Sequence, residues 1–442
     1  MGPSRLPHFM PKLRPQPRPI RRSDLTFVER LYLAFEQSPR ARALGMIVLV
    51  LPATLAIGIF FWSVSFKRPV LRTSPLATAA GIDSPPLVPV PDNVPASRIP
   101  DGMRMPAEFE RQDGMLLGCN ELVEFHPRVM LEMIAAMNGK LELYGLVSNA
   151  EQRQKVVSLL EEHKMPADSL RLIEIPASGM WVRDYGPKFL RNEVGGLTMI
   201  DYAYLDVAGT DGRTRPEDDV LPGELSKLFR TPISSVALSM EGGNLLNNGY
   251  GFVVSTSQLV LENSHRRYSI EDVGRLLNAG FGQENWSYVN FLDADTTRHA
   301  DTFMTITAPD TIVIASCDPQ QDPVSAATLD RAAEQLSQVK PDTDKHSYLP
   351  FKIVRIPMEM KGDGVMRTYT NVVFANGTLL VPQYSDVDPA LNAGALQIYR
   401  KTMPGWKVVG IECLSVAKMG GALHCITCNV PSPSMLPLDL NK

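Results

Sequence analysis

A chain of 442 residues with 44% hydrophobic and 21% charged content can bury a large core, which excludes a disordered or fibrous polymer. The net charge is −4, yet residues 1–43 hold nine Lys/Arg against three acids, a net +6 that leaves −10 on the remainder. An acidic body argues against a nucleic-acid-binding domain, which needs an excess of cations on one face, and suits a cationic ligand.

In chain order, residues 1–43 read as a basic cytosolic tail. Leu44–Phe66 is 23 residues without a charge, about 34 Å as a helix and long enough to span a bilayer. Trp62 suits an interfacial anchor, and the basic residues before the span direct the rest of the chain across the membrane. Ala77-Thr78-Ala79 offers the other reading, a cleaved signal and a secreted product. Residues 67–100 carry eight prolines and little periodic apolar content, the composition of an extended tether. The folded domain is expected over 101–434, with a short tail at 435–442.

Within that domain a hairpin pattern recurs. Lys188 to Tyr202 turns at a Gly-Gly pair, Leu245 to Leu261 at Gly249 and Gly251, Thr302 to Ala315 at Pro309-Asp310, and Asn371 to Pro382 at Asn376-Gly377. Helical patterns over Pro127–Asn138, Glu151–His163, Ile270–Ala279 and Ala327–Gln338 lie between or beside them. The alternation predicts a toroid of similar α/β units.

A polar motif stands at or before the start of each hairpin: Trp181-Val182-Arg183-Asp184-Tyr185-Gly186-Pro187, Glu241-Gly242-Gly243-Asn244, Arg298-His299-Ala300-Asp301, Tyr369-Thr370-Asn371, and finally Gly420-Gly421-Ala422-Leu423-His424-Cys425. From Asp184 to Glu241, His299, Asn371 and Cys425 the successive separations are 57, 58, 72 and 54 residues. If each unit places its motif at the same point, all five converge on one axis.

Five cysteines, Cys119, Cys317, Cys413, Cys425 and Cys428, are too few and scattered for a disulfide scaffold. Cys425-x-x-Cys428 has no second ligand pair for zinc, and its Gly-Gly precedes it where a redox pair usually opens a helix, so no metal or cofactor is expected. A thiol, an imidazole and several acids meeting in an acidic body point instead to thiolate attack on a cationic carbon. A guanidinium fits, being planar, always charged and suited to pairing with carboxylates. In that scheme Asp184 and Asp301 hold its nitrogens, Trp181 covers its face, Cys425 attacks, and His299 moves protons to the departing nitrogen and from water. His424 and Cys428, one and three residues from Cys425, are expected to be structural and to face away from the site, by strand alternation.

Through MPAEFE (Met105–Glu110), WVRDYGP, EGGN, HAD, the Asn371 hairpin and GGALHCIT, the chain resembles the agmatine deiminase and bacterial-type peptidylarginine deiminase family of guanidino-modifying enzymes. The resemblance covers Met105–Pro433. It implies a five-bladed α/β propeller (pentein), with Cys425 as nucleophile, His299 as general acid and base, Asp184 and Asp301 as guanidinium ligands, and Asn371 as a site residue.

The substrate turns on Gly212-Arg213-Thr214-Arg215 and the acids that follow. Arg213 and Arg215 can converge on one carboxylate, which agmatine lacks, and in the peptidylarginine branch a similar pair grips a C-terminal carboxylate. They equally suit a solvated loop paired with Glu217, Asp218 and Asp219. Glu241 matches the agmatine branch, though Glu241 and Asn244 equally suit strand termination. The expected reaction is deimination of peptidyl or C-terminal arginine to citrulline and ammonia. The alternative is conversion of agmatine to N-carbamoylputrescine and ammonia; a membrane-tethered, catalytically inactive pentein is the reading from another class.

Overall fold

One strand pattern occurs five times in the computed structural model, which describes Ile99 and residues 102–433 less 167, 178, 205–215 and 341–348. Strands β1 (Gln112–Gly118), β2 (Glu142–Val147) and β3 (Arg171–Glu174) run parallel. In the next sheet β4 (Lys188–Arg191) is antiparallel to β5 (Leu197–Ala203), and β6 (Ile233–Ser239) joins β5 in parallel. The same order is repeated by β7 (Leu246–Asn247), β8 (Phe252–Thr256) and β9 (Asn285–Val289), and by β10 (Met304–Ala308), β11 (Thr311–Ser316) and β12 (Lys352–Pro357). It recurs in β13 (Val373–Ala375), β14 (Thr378–Gln383) and β15 (Lys407–Glu412). Finally β16 (Thr427–Pro431) pairs antiparallel with β1, so one sheet, β16-β1-β2-β3, is assembled from both ends of the domain.

The middle strands are apolar because both their faces are covered: every residue of β8 is buried, as are Ile312–Ala315 of β11 and Leu379–Val381 of β14. A parallel partner requires a crossover, and helices supply it. Leu221–Phe229 leads to β6, Ile270–Phe281 to β9, Pro323–Ser337 to β12 and Pro389–Thr402 to β15. Their starts are written in the sequence. Asp322 and Asp388 cap helices that open with proline, and Ser269 and Asp272 form a reciprocal capping box.

The turns behave as expected: Asn376 and Gly377, at φ 43° and 85°, make the tight hairpin that their sequence predicts. Two boundaries differ. The segment read as hairpin to Leu261 leaves the sheet at Thr256 and forms a helix over Gln258–Asn263. The helix expected from Ala327 starts a turn earlier, at Pro323.

Residues 1–98 lie outside the described residues, and with them the basic tail, the apolar span Leu44–Phe66 and nearly all of the proline-rich tether; Arg213, Arg215 and the 435–442 tail do too. Among the described residues no helix is long and apolar enough to cross a membrane.

What this architecture positions is the segment entering the first strand of each antiparallel pair. Val182–Tyr185 precedes β4, Gly242–Asn244 precedes β7, Ala300–Thr302 precedes β10, Asn371 precedes β13, and the turn at Cys425 precedes β16. The five polar motifs thus occupy one topological position.

Candidate active site

Two glycines mark where these segments close on one another. A Cβ on Gly243 would lie 2.8 Å from Asp184 Oδ1, 2.9 Å from Asp301 Oδ2 and 2.9 Å from His299 Nδ1. A Cβ on Gly421 would lie 2.5 Å from the Trp181 ring and 3.1 Å from Cys425 Sγ. Side chains from several sheets therefore meet over bare backbone.

Cys425 is buried, and its Sγ accepts a hydrogen bond from Asn371 Nδ2 at 3.3 Å. Asn371 also fixes the turn that presents the thiol, because its Oδ1 accepts from the backbone N–H of His424 (2.9 Å) and of Cys425 (3.3 Å). Asp301 Oδ2 stands 3.6 Å from the sulfur. Asp301 Oδ1 is buried with no hydrogen-bond partner among the described residues.

His299 is wholly buried between two carboxylates. Its Nε2 meets Glu241 Oε2 at 2.5 Å, and its Nδ1 faces Asp184 Oδ1 at 3.5 Å. Asp184 Oδ1 accepts in addition from the Gly243 N–H at 2.9 Å. Burial pushes the Asp184 carboxyl up to about 7, with Glu241 and Asp301 adding to it against the pull of His299. Burial alone would lower His299, yet Asp184, Glu241 and Asp301 carry it well above the ordinary imidazole value. The Cys425 thiol is pushed well above its usual range by burial and then by the charges of Asp301 and Asp184. A resting site of this kind holds a protonated thiol and lowers its pKa when a cation enters.

Asp184, Glu241 and His299 lie close enough to offer three ligand atoms to a metal ion.

Trp181, Asp184, Glu241, His299, Asp301, Asn371 and Cys425 are thus brought together. Asn244 has a role in the scaffold, its Oδ1 accepting from the N–H groups of Thr256 (2.9 Å) and Ala300 (3.2 Å). Cys428 sits apart, with Pro187 O 3.5 Å from its Sγ. His424 departs from expectation. It lies in a turn ahead of β16, where strand alternation does not apply, and its Nδ1 is 2.7 Å from Asp301 Oδ2. Glu108, which sequence reasoning did not single out, meets His424 Nε2 at 2.9 Å and Arg183 Nη1 at 2.7 Å. The available signal was an acid inside the otherwise apolar Met105-Pro106-Ala107 approach.

A model of the Porphyromonas-type peptidyl-arginine deiminase family matches residues 104–431. The chain belongs to that family. Relatives of this deiminase include a protein named "Putative agmatine deiminase" from Lactococcus lactis, 27% identical over 75% of this chain and 96% of its own length. A Listeria monocytogenes protein named "Putative agmatine deiminase 1" is 26% identical over 75% of this chain and 97% of its length. Among solved structures, the agmatine deiminase of Enterococcus faecalis superposes with a TM-score of 0.64 at 21% identity, covering 75% of this chain and 97% of that one. The fold is accordingly the pentein type of α/β architecture, and the deiminase is a C–N hydrolase of linear amidines acting on a guanidino group.

Proposed function

We propose that Cys425 is the nucleophile of a two-step deimination in which Asp184 and Asp301 hold the guanidinium and His299 carries the protons. The observation that supports this most is the Asp301 carboxylate, whose Oδ2 stands 3.6 Å from the Cys425 sulfur while its Oδ1 is buried with no hydrogen-bond partner among the described residues. A lone buried carboxylate oxygen is costly, and a guanidinium N–H satisfies it. With the cation bound, the thiol gives up its proton to solvent and the S–C bond forms, the C=N π pair moving onto nitrogen. The C–N bond then breaks and ammonia leaves on a proton from His299. Water next attacks the thiouronium carbon, gives a proton back through His299, and the C–S bond breaks to release the ureido product and the thiol. Five sheets closed around one axis, the propeller implied by the resemblance, is the arrangement this scheme needs.

Agmatine is the first substrate proposed. The relatives named for agmatine deimination match along almost their whole length, and an amine tail suits the acidic body. This reverses the order suggested by the arginine pair. The second reading, a peptide ending in arginine, rests on Arg213-Thr214-Arg215 and on the exported topology that Leu44–Phe66 would give. The full-length protein should release ammonia from one of these substrates, and Cys425→Ser should abolish it. Absence of turnover with any guanidino compound would falsify the reading. If peptides are the substrate, replacing Arg213 and Arg215 with alanine lowers kcat/KM on the peptide about 10-fold or more and leaves agmatine turnover unchanged.

A further inference from the structure

We infer that His424 is a positioning residue for the guanidinium site: bridged to Glu108, it engages one oxygen of Asp301 so that the other faces the substrate. This rests on Asp301 being a guanidinium ligand, as proposed above. The imidazole is buried, with Nδ1 2.7 Å from Asp301 Oδ2 and Nε2 3.0 and 2.9 Å from the two oxygens of Glu108. A neutral ring has one N–H, and would set its remaining lone pair against a carboxylate at one end or the other. Both contacts are satisfied together only by a ring that donates from both nitrogens.

Glu108 is held for this task from the other side, because Arg183 Nη1 binds its Oε1 at 2.7 Å. The same arginine braces the turn that carries Cys425: its backbone N–H donates to Cys425 O at 3.1 Å and its Nε to His424 O at 3.4 Å. Arg183, Glu108, His424 and Asp301 thus alternate in charge from the scaffold to the sulfur. These are the charged groups that face the ring. Burial and Arg183 push His424 down, while Glu108 and the bond to Asp301 carry it above its ordinary value. Burial would raise Asp301, and His424 first, then His299 and Arg183, hold it below the usual carboxylate range. An unbridged Asp301 could rotate and offer either oxygen. The His424 N–H selects Oδ2, and Oδ1 remains.

Asparagine places an amide near the Nδ1 position of histidine, and glutamine near Nε2. His424→Asn therefore keeps a donor for Asp301 and gives up Glu108, whereas His424→Gln does the reverse. With agmatine or an arginine-ending peptide, whichever turns over faster, His424→Gln should raise KM about 10- to 100-fold with a smaller change in kcat, and His424→Asn should stay within about 5-fold of the parent. Equal losses in the two variants, or a larger loss in His424→Asn, would mean that His424 serves packing alone. Should His424→Gln fail to fold, His424→Asn decides by itself: a KM near the parent supports positioning, and a 10-fold rise overturns it. Asp301→Asn separates the two readings. If its KM is unchanged, Asp301 is no guanidinium ligand; if KM rises there while His424→Gln behaves like the parent, only the part given to His424 is lost.

Discussion

Asp184 and Asp301 are buried carboxyls that both approach Gly243, and their neighbours drive their pKa values apart. Burial sends Asp184 up to about 7, whereas His424 and His299 keep Asp301 ionised. In the free enzyme a proton therefore occupies Asp184 below about 7, and in the scheme proposed above a guanidinium has to displace it. KM should consequently rise as pH falls from 8 to 5.5, approaching about tenfold per unit below the midpoint for a single group. Asp184→Asn should raise KM and flatten that slope, and a slope that survives the substitution would assign it to another residue. Glu241, read from sequence as a substrate contact, engages the far edge of His299. Glu241→Gln is expected to lower kcat by about 100-fold with a modest change in KM, measured at saturating substrate. The convergence of the candidate residues was legible because their motifs recur at near-regular spacing. Their pairings were not: which carboxylate meets which edge of an imidazole depends on contacts across 58 to 316 residues of chain.

Each motif owes its place to the short segment that enters a hairpin. At Gly243 that segment passes so close to the side chains of Asp184, His299 and Asp301 that a methyl group would fall within 2.9 Å of all three. Gly243→Ala should therefore cost roughly 100-fold in kcat/KM through displaced geometry, with a thermal midpoint close to the parent. An unaffected enzyme would show that the three groups can move aside without loss. The antiparallel pairs could be read from local turn chemistry, as at Asn376-Gly377, and the amphipathic helices from periodicity. The third strand of each sheet was not seen. It pairs in parallel after a crossover, so nothing local announces it, and β15 and β6 are only partly buried and read as mixed sequence. The helix over Pro389–Thr402 went unread despite its cap because few of its residues are buried.

Across the whole domain, the last sheet is completed by β16, which supplies the antiparallel partner of β1 and carries the chain away from Cys425. Removing residues 427 onward should abolish cooperative unfolding and leave insoluble protein. A soluble, cooperatively melting product lacking β16 would show that the remaining sheets hold the domain without it. The pairing of Gln112 with Pro431 also has a meaning in time. During synthesis β1 is the first of the described strands made and its partner the last of them, so an open edge persists while the four intervening sheets are built. The thiol arrives with the strand that covers that edge. On the reading of Cys425 as nucleophile proposed above, a nascent chain has no reactive centre until β16 pairs with β1 across a long stretch of sequence.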